Sequence, residues 1–296
     1  MLRRAHVAFR RERVGTGDGD FWEFDWLDAT AAPSAPLVVL FHGLEGGSGS
    51  HYARALMSQL AHVGWRGVIP HFRGCGGTPN LTARAYHSGD FEEVGRLLAA
   101  VHARAPHAPL FAVGVSLGGS ALLNWLGRAG ADPHVKLEAA AAVSTPLDLT
   151  ISGVCIEQGL NRIYARHFLQ TLVPKGIDMA HRFPHVLDHA RVRRVRSMYD
   201  FDDVVTAPLH GFAGTEDYWR RASSKPWLVN IAVPTLVLNA RNDPFVPAYS
   251  LPGAHEVSAS VTLEQPAHGG HAGFLSGPFP GRLEWLPRRL LQFFRL

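Results

Sequence analysis

The chain has 296 residues, 46% of them hydrophobic and 18% charged, enough to bury a sizeable core in one or two globular domains. Its 29 Lys and Arg against 25 Asp and Glu give a formal charge of +4. Outside the termini and HARVRRVRSMYD the arginines are scattered, and aromatics do not interleave with them, so no nucleic-acid partner is expected. The two cysteines, Cys75 and Cys155, lie far apart and imply no disulfide framework, so a reducing cytoplasmic location is expected.

From the N-terminus, MLRRAHVAFRRERVG carries the charge of an export signal but no apolar segment after it, so no cleavage is expected. No run approaches the ~18 apolar residues of a membrane-spanning helix. FWEFDWLD alternates with period two, as a half-buried strand does, and PLVVLFHG is a short buried strand turning sharply at glycine. In SHYARALMSQLAHVG, Tyr52, Leu56, Leu60 and Val63 recur at helical spacing. GWRGVIPHFRG reads as a strand, and the next helix places Phe91, Val94, Leu98 and Val101 on one face. PLFAVGV, GGSALLNWLGRAG and LEAAAAVSTP continue the alternation as strand, helix and strand. This rhythm predicts an α/β fold, a mostly parallel sheet with helices on both faces.

The rhythm breaks over residues 148–232, which read as helical pieces without strands, and resumes with PTLVLNARNDPFVP, ASVTLEQPAHGGHAGF and the amphipathic LPRRLLQFFRL. A single domain is expected, its core formed by residues 1–147 and 233–296. The helical insertion would sit over the carboxyl ends of the strands, where open α/β folds bind ligands, and reads as a cap. Within it, HARVRRVR reads as a solvated basic helix face, with attraction to anionic lipid as the alternative.

Gly114-Val115-Ser116-Leu117-Gly118 spells G-x-S-x-G between a predicted strand and a predicted helix, the context of a nucleophile elbow. The rival readings fit less well: a phosphate loop would need Gly-Lys-Ser/Thr, and a dinucleotide site a different glycine spacing. A serine nucleophile also needs an oxyanion hole, a base and an orienting acid. The early LFHGLEGG ends a strand at His42-Gly43, so the Leu44 amide can face an oxyanion opposite the Leu117 amide. Asp243, at the end of an apolar strand, is favoured as the acid over Asp148, which follows the preceding strand. His268 and His271 in AHGGHAGF are candidate bases. Their spacing also allows a metal pair, but no further cluster completes a zinc motif, so neither metal nor cofactor is expected.

FHGLEGGSGSHYARAL, HFRGCGGTPN, YHSGDFEEV, AVGVSLGG, FDDVVTAPLHGF, DYWRRAS, NARNDPFVP and HGGHAGF together resemble the YheT-like branch of the α/β-hydrolase superfamily, related to eukaryotic α/β-hydrolase-domain proteins of esterase or phospholipase type. The resemblance runs from about Phe21 to the C-terminus. It implies a metal-free hydrolase with Ser116 as nucleophile, Asp243 as acid and His271 rather than His268 as base, and a helical cap contributed by the FDD to DYWRRAS region. Eukaryotic relatives often carry an N-terminal membrane anchor; none is expected here.

The expected activity is hydrolysis of carboxylic acyl esters through an acyl-enzyme, on small-molecule or lipid-like substrates. Thioesterase or acyltransferase chemistry at the same triad is an alternative, although the spacing of His87 and Asp90 is too short for an H-x-x-x-x-D motif. From a different class, the fold could serve non-hydrolytic ligand binding or scaffolding. Trp125, Phe168, Tyr199, Phe212, Trp219 and Phe274 are candidate linings of an acyl pocket.

Overall fold

In β3 (Leu37–Phe41), every side chain is buried, and alternate residues feed different cores. Leu37, Val39 and Phe41 belong to one cluster, Val38 and Leu40 to the other. A strand with both faces covered reads as a continuous apolar run for this reason. The computed structural model describes residues 7–27, 30–128 and 135–295.

Among the described residues, eight strands form one sheet: β1 (Phe9–Gly15), β2 (Phe21–Leu27), β3, β4 (Arg66–His71), β5 (Leu110–Val115), β6 (Ala139–Val143), β7 (Thr235–Leu238) and β8 (Val261–Glu264). Their spatial order is β1-β2-β4-β3-β5-β6-β7-β8. β2 runs antiparallel to both β1 and β4, and every other pair is parallel. Helices α1 (His51–His62), α2 (Phe91–Arg104) and α3 (Leu117–Arg128) follow β3, β4 and β5. Leu97 and Leu98 of α2 and Leu122 of α3 pack on one face of the sheet. Leu56 and Leu60 of α1 pack on the other with Leu290 and Leu291 of the last helix, Trp285–Phe294. The parallel strands β3, β5, β6 and β7 are buried on both faces, as a parallel sheet requires.

Two features of the N-terminal edge depart from the sequence reading. The basic run before Val14 is strand β1, and β2 is buried on both faces rather than one. The register supplies the reason: Arg11 stands opposite Asp25, and Arg13 opposite Glu23. Cross-strand pairing of opposite charges gives a polar edge strand its partners. Arg11 Nε donates to Asp25 Oδ1 at 2.7 Å, and His71 Nε2 lies 2.8 Å from Asp25 Oδ2, so a charged residue is accommodated beneath the sheet.

Among the described residues, the chain from β6 to β7 contains no strand. It runs through α4 (Leu149–Ile156), α5 (Arg162–Arg182), α6 (His189–Val192), α7 (Met198–Phe201), a π-helical turn over Asp202–Thr206, α8 (Ala207–His210) and α9 (Thr215–Ala222). While α9 packs with Leu149 of α4 in a separate cluster, helices α5 to α7 and the π-helical turn share one of their own, including Leu172, Met179, Val192, Phe201 and Val205. In the basic run, Val192 and Val195 point into that cluster while Arg191, Arg193, Arg194 and Arg196 face solvent. No helix among the described residues is long and apolar enough to cross a membrane.

Candidate active site

β5 ends at Val115 and α3 starts at Leu117, so one residue, Ser116, makes the whole turn. It does so at φ +53°, the left-handed region that costs a non-glycine residue about 1–2 kcal/mol. Its amide donates to Val143 O of the neighbouring strand at 2.8 Å. The flanking glycines meet a packing constraint. A Cβ on Gly114 would lie 2.5 Å from Gly118 O, and one on Gly118 would lie 2.4 Å from Phe41 O. The turn therefore presses against both its own helix and the end of β3.

The other two polar groups arrive from loops after β7 and β8. Asp243 is buried, its Oδ1 accepting from the amides of Phe245 at 2.8 Å and Val246 at 3.3 Å. Its Oδ2 lies 2.8 Å from His271 Nδ1, and His271 Nε2 lies 3.0 Å from Ser116 Oγ. Since the carboxylate can only accept, Nδ1 carries the proton and Nε2 is free to accept from the serine hydroxyl. The Phe245 ring packs edge-on against the imidazole, centroids 4.7 Å apart.

The structure thus brings together the serine, acid and histidine singled out in the sequence. It separates the competitors from them. Asp148 instead caps α4, accepting from the Ile151 amide, and His268 is exposed on the histidine loop. Asn242 stands in NARNDPFVP but is given no role by the sequence, yet its Oδ1 accepts from the amides of Gly269 and Gly270, each at 2.9 Å, and so ties the histidine loop to the aspartate turn. Ser144 Oγ accepts from the Ala272 amide at 3.0 Å, fixing the same loop from the β6 side.

After β3, the Gly43 amide donates to Tyr52 Oη at 2.9 Å and the Glu45 amide to Tyr86 Oη at 2.8 Å. Between them, the Leu44 amide has no acceptor among the described residues, and neither has the Leu117 amide at the start of α3. His42 beneath this turn accepts from the Phe72 amide through Nε2 and donates from Nδ1 to Gly43 O. Burial, reinforced by His71, pushes its pKa down to about 3, so it is a neutral structural histidine.

Two cavities meet at these turns. A chamber of about 130 Å3 holds Ser116 and His271, with Phe168, Trp219 and Phe245 in its wall. A larger cavity of about 430 Å3 extends under α5 and the π-helical turn, its apolar lining including Leu172, Met179, Phe201 and Val205. Leu44, Leu117, Met198, Asp202 and Tyr218 border both. Burial pushes the Asp202 carboxyl up to about 6, against hydrogen bonds from Trp219 and Thr206. Burial likewise raises the Cys75 thiol, in the larger cavity's wall, to about 12.

Of the six aromatic candidates, Phe168 and Trp219 line the chamber. The other four line neither cavity. Trp125 belongs to the sheet core, Phe274 stacks on Trp285, Phe212 packs on His87, and Tyr199 is exposed.

This arrangement of sheet, strained serine turn and helical segment defines an α/β-hydrolase. The model of the alpha/beta hydrolase fold matches residues 36–278, and the chain belongs to that family. The Escherichia coli (strain K12) protein named "Putative esterase YheT" is 38% identical over 282 residues, covering 94% of this chain and 82% of its own length. Phospholipase ABHD3 of Mus musculus is 32% identical over 295 residues, covering 97% of this chain and 71% of its own. Among solved structures, the Pyrococcus furiosus esterase Pf2001 aligns over 98% of this chain and 92% of its own, with a TM-score of 0.59 at 14% identity, a likeness of fold.

Proposed function

We propose that the chain is a serine hydrolase of carboxylic acyl esters, working through an acyl-enzyme on Ser116. The observation that carries this reading is the continuous relay from Asp243 through His271 to Ser116, with separations of 2.8 and 3.0 Å. The names of its relatives, an esterase and a phospholipase, support the same class.

In this mechanism, His271 Nε2 takes the Ser116 proton as Oγ attacks the ester carbonyl. Asp243 holds the imidazole tautomer and stabilises the cation that forms. The amides of Leu44 and Leu117 receive the negative charge on the tetrahedral oxygen, aided by the N-terminal end of α3. His271 then protonates the leaving alcohol, and water activated by the same nitrogen releases the acid. The segment over residues 148–232 acts as a cap that walls the two cavities and shields the reacting carbonyl from bulk water. Small-molecule esters with an apolar part fit the lining of the larger cavity.

Hydrolysis of p-nitrophenyl esters from acetate to palmitate, by wild type and Ser116→Ala in parallel, tests this reading. Turnover by wild type with loss in the variant is expected, and the preferred chain length measures how much of the larger cavity an acyl chain uses. A folded wild-type protein that cleaves none of the series and takes no fluorophosphonate label on Ser116 would overturn it in favour of ligand binding without hydrolysis.

A further inference from the structure

Asp202 is the one carboxylate among the residues bordering both cavities. It shares that neck with Leu44 and Leu117, the residues whose amides face the reacting carbonyl in the mechanism above. Its Oδ1 accepts from Thr206 Oγ1 and its Oδ2 from Trp219 Nε1, both at 2.8 Å. Thr206 lines the larger cavity and Trp219 the catalytic chamber, so the carboxylate spans the passage between them.

A carboxylate sequestered here is costly. Among the described residues, no Lys, Arg or His forms an ion pair with it, and both protein donors are neutral. Each oxygen has used one hydrogen bond and keeps capacity for another. A purely structural staple between the π-helical turn and α9 needs only an acceptor for Trp219 and a partner for Thr206, which an amide also provides. A carboxylate offers more: a strong acceptor beside the reacting ester, in a neck where the other four side chains are Leu44, Leu117, Met198 and Tyr218.

We propose that Asp202 determines specificity by accepting a hydrogen bond from a hydroxyl carried beside the scissile ester, so that the preferred substrates are hydroxylated esters rather than plain alkyl esters. This rests on the ester-hydrolase reading. The hydroxyl can belong to a hydroxyacyl chain or to a polyol alcohol, since either presents the same donor at the neck. A plain methylene chain passing the ionised carboxylate strips its water and returns no hydrogen bond, which penalises that substrate.

The test compares kcat/KM within two matched pairs: p-nitrophenyl 3-hydroxybutyrate against p-nitrophenyl butyrate, and 1-octanoylglycerol against ethyl octanoate. Wild type, Asp202→Asn and Asp202→Ser are assayed side by side. Wild type is expected to favour the hydroxylated member of at least one pair, and that pair identifies the side of the ester that carries the donor. Asp202→Asn, whose amide oxygen can take the place of Oδ2 as acceptor for Trp219 while its NH2 donates to Thr206 Oγ1, is expected to cut the preference ~10- to 100-fold, as for loss of a charge-assisted hydrogen bond. A wild-type enzyme that cleaves both members of each pair equally, or a preference surviving in both variants, overturns the proposal and leaves ester hydrolysis standing. A folded wild type that cleaves none of the four esters and takes no fluorophosphonate label on Ser116 overturns the hydrolase reading, and this proposal with it.

Discussion

Gly118 faces the end of β3 so closely that a methyl group on it would stand 2.4 Å from the carbonyl oxygen of Phe41 and 2.5 Å from that of His42. Both neighbours are backbone, so the clash cannot be relieved by a side-chain rotation. Gly118→Ala is therefore expected to cost about 1–3 kcal/mol by overpacking. It should also move the Leu117 and Leu44 amides apart. Denaturant unfolding should show the first effect, and a fall in kcat larger than any rise in KM the second.

Asp243→Asn keeps the size of the side chain but removes the charge that sets the His271 tautomer. Turnover should drop about 1,000- to 10,000-fold with little change in melting temperature. Asp148→Ala should behave in the opposite way, keeping turnover and losing about 0.5–2 kcal/mol of stability with its helix cap. Equal activity losses in the two variants would refute the assignment of the acid.

Asn242 does no chemistry in the mechanism, yet it gathers two amides of the histidine loop on one oxygen. Asn242→Ala should loosen the approach of His271 to Ser116, lowering kcat about 10-fold or more while KM for a small ester stays near its original value. Asn242→Asp supplies an acceptor and should recover much of the loss. Single-turnover acylation rates measure the effect on the first step.

Arg73 is buried against three carboxylates, with Nε 2.7 Å from Glu93 Oε1, Nη2 2.8 Å from Asp18 Oδ2 and Nη1 3.2 Å from Asp20 Oδ2. Arg73→Met leaves those charges uncompensated and should destabilise the fold by about 3–5 kcal/mol. Arg73→Lys should rescue little of this, because an ammonium cannot fork to several carboxylates at once. Urea midpoints of the two variants test the point.

The imidazoles of His87 and His210, tilted 59° to each other with centroids 4.3 Å apart, join the loop before α2 to α8. Burial lowers the His210 pKa from an ordinary 6.5 to about 4, helped by Arg84 and opposed by its hydrogen bond to Ala85; burial also lowers that of His87. Below pH 6.5 the unfolded chain takes up protons that the folded chain refuses, so this pair's stability is present above 6.5 and is lost as pH falls toward 4. Asp202, raised to about 6, and Asp90, raised to about 7, act in the reverse direction, their contribution lost as pH rises from 3.8. Comparing variants separates the contributions: between pH 6.5 and 5, His210→Gln should lose up to about 2 kcal/mol less than wild type, while Asp202→Asn should lose more than wild type. Urea unfolding at the two pH values gives both differences.

The alternating strands and helices were legible because short apolar runs and helical periodicity are local properties of the chain, and the order of Ser116, Asp243 and His271 because each stands at the end of a readable strand or in a glycine-marked turn. Edge strand β1 was not legible, since its arginines look like a solvated start until Asp25 and Glu23 are placed opposite them. Within the aromatic set, periodicity cannot tell Trp125, packed in the sheet core, from Trp219, which reaches a cavity. Asp202 and Asn242 lie inside the stretches FDDVVTAPLHGF and NARNDPFVP, but nothing in their spacing gives either a role. Sequence pattern reports which side chains must leave water, but which of them meet across a cavity depends on contacts between segments distant along the chain, and those were decided only when the helices between β6 and β7 packed around the two cavities.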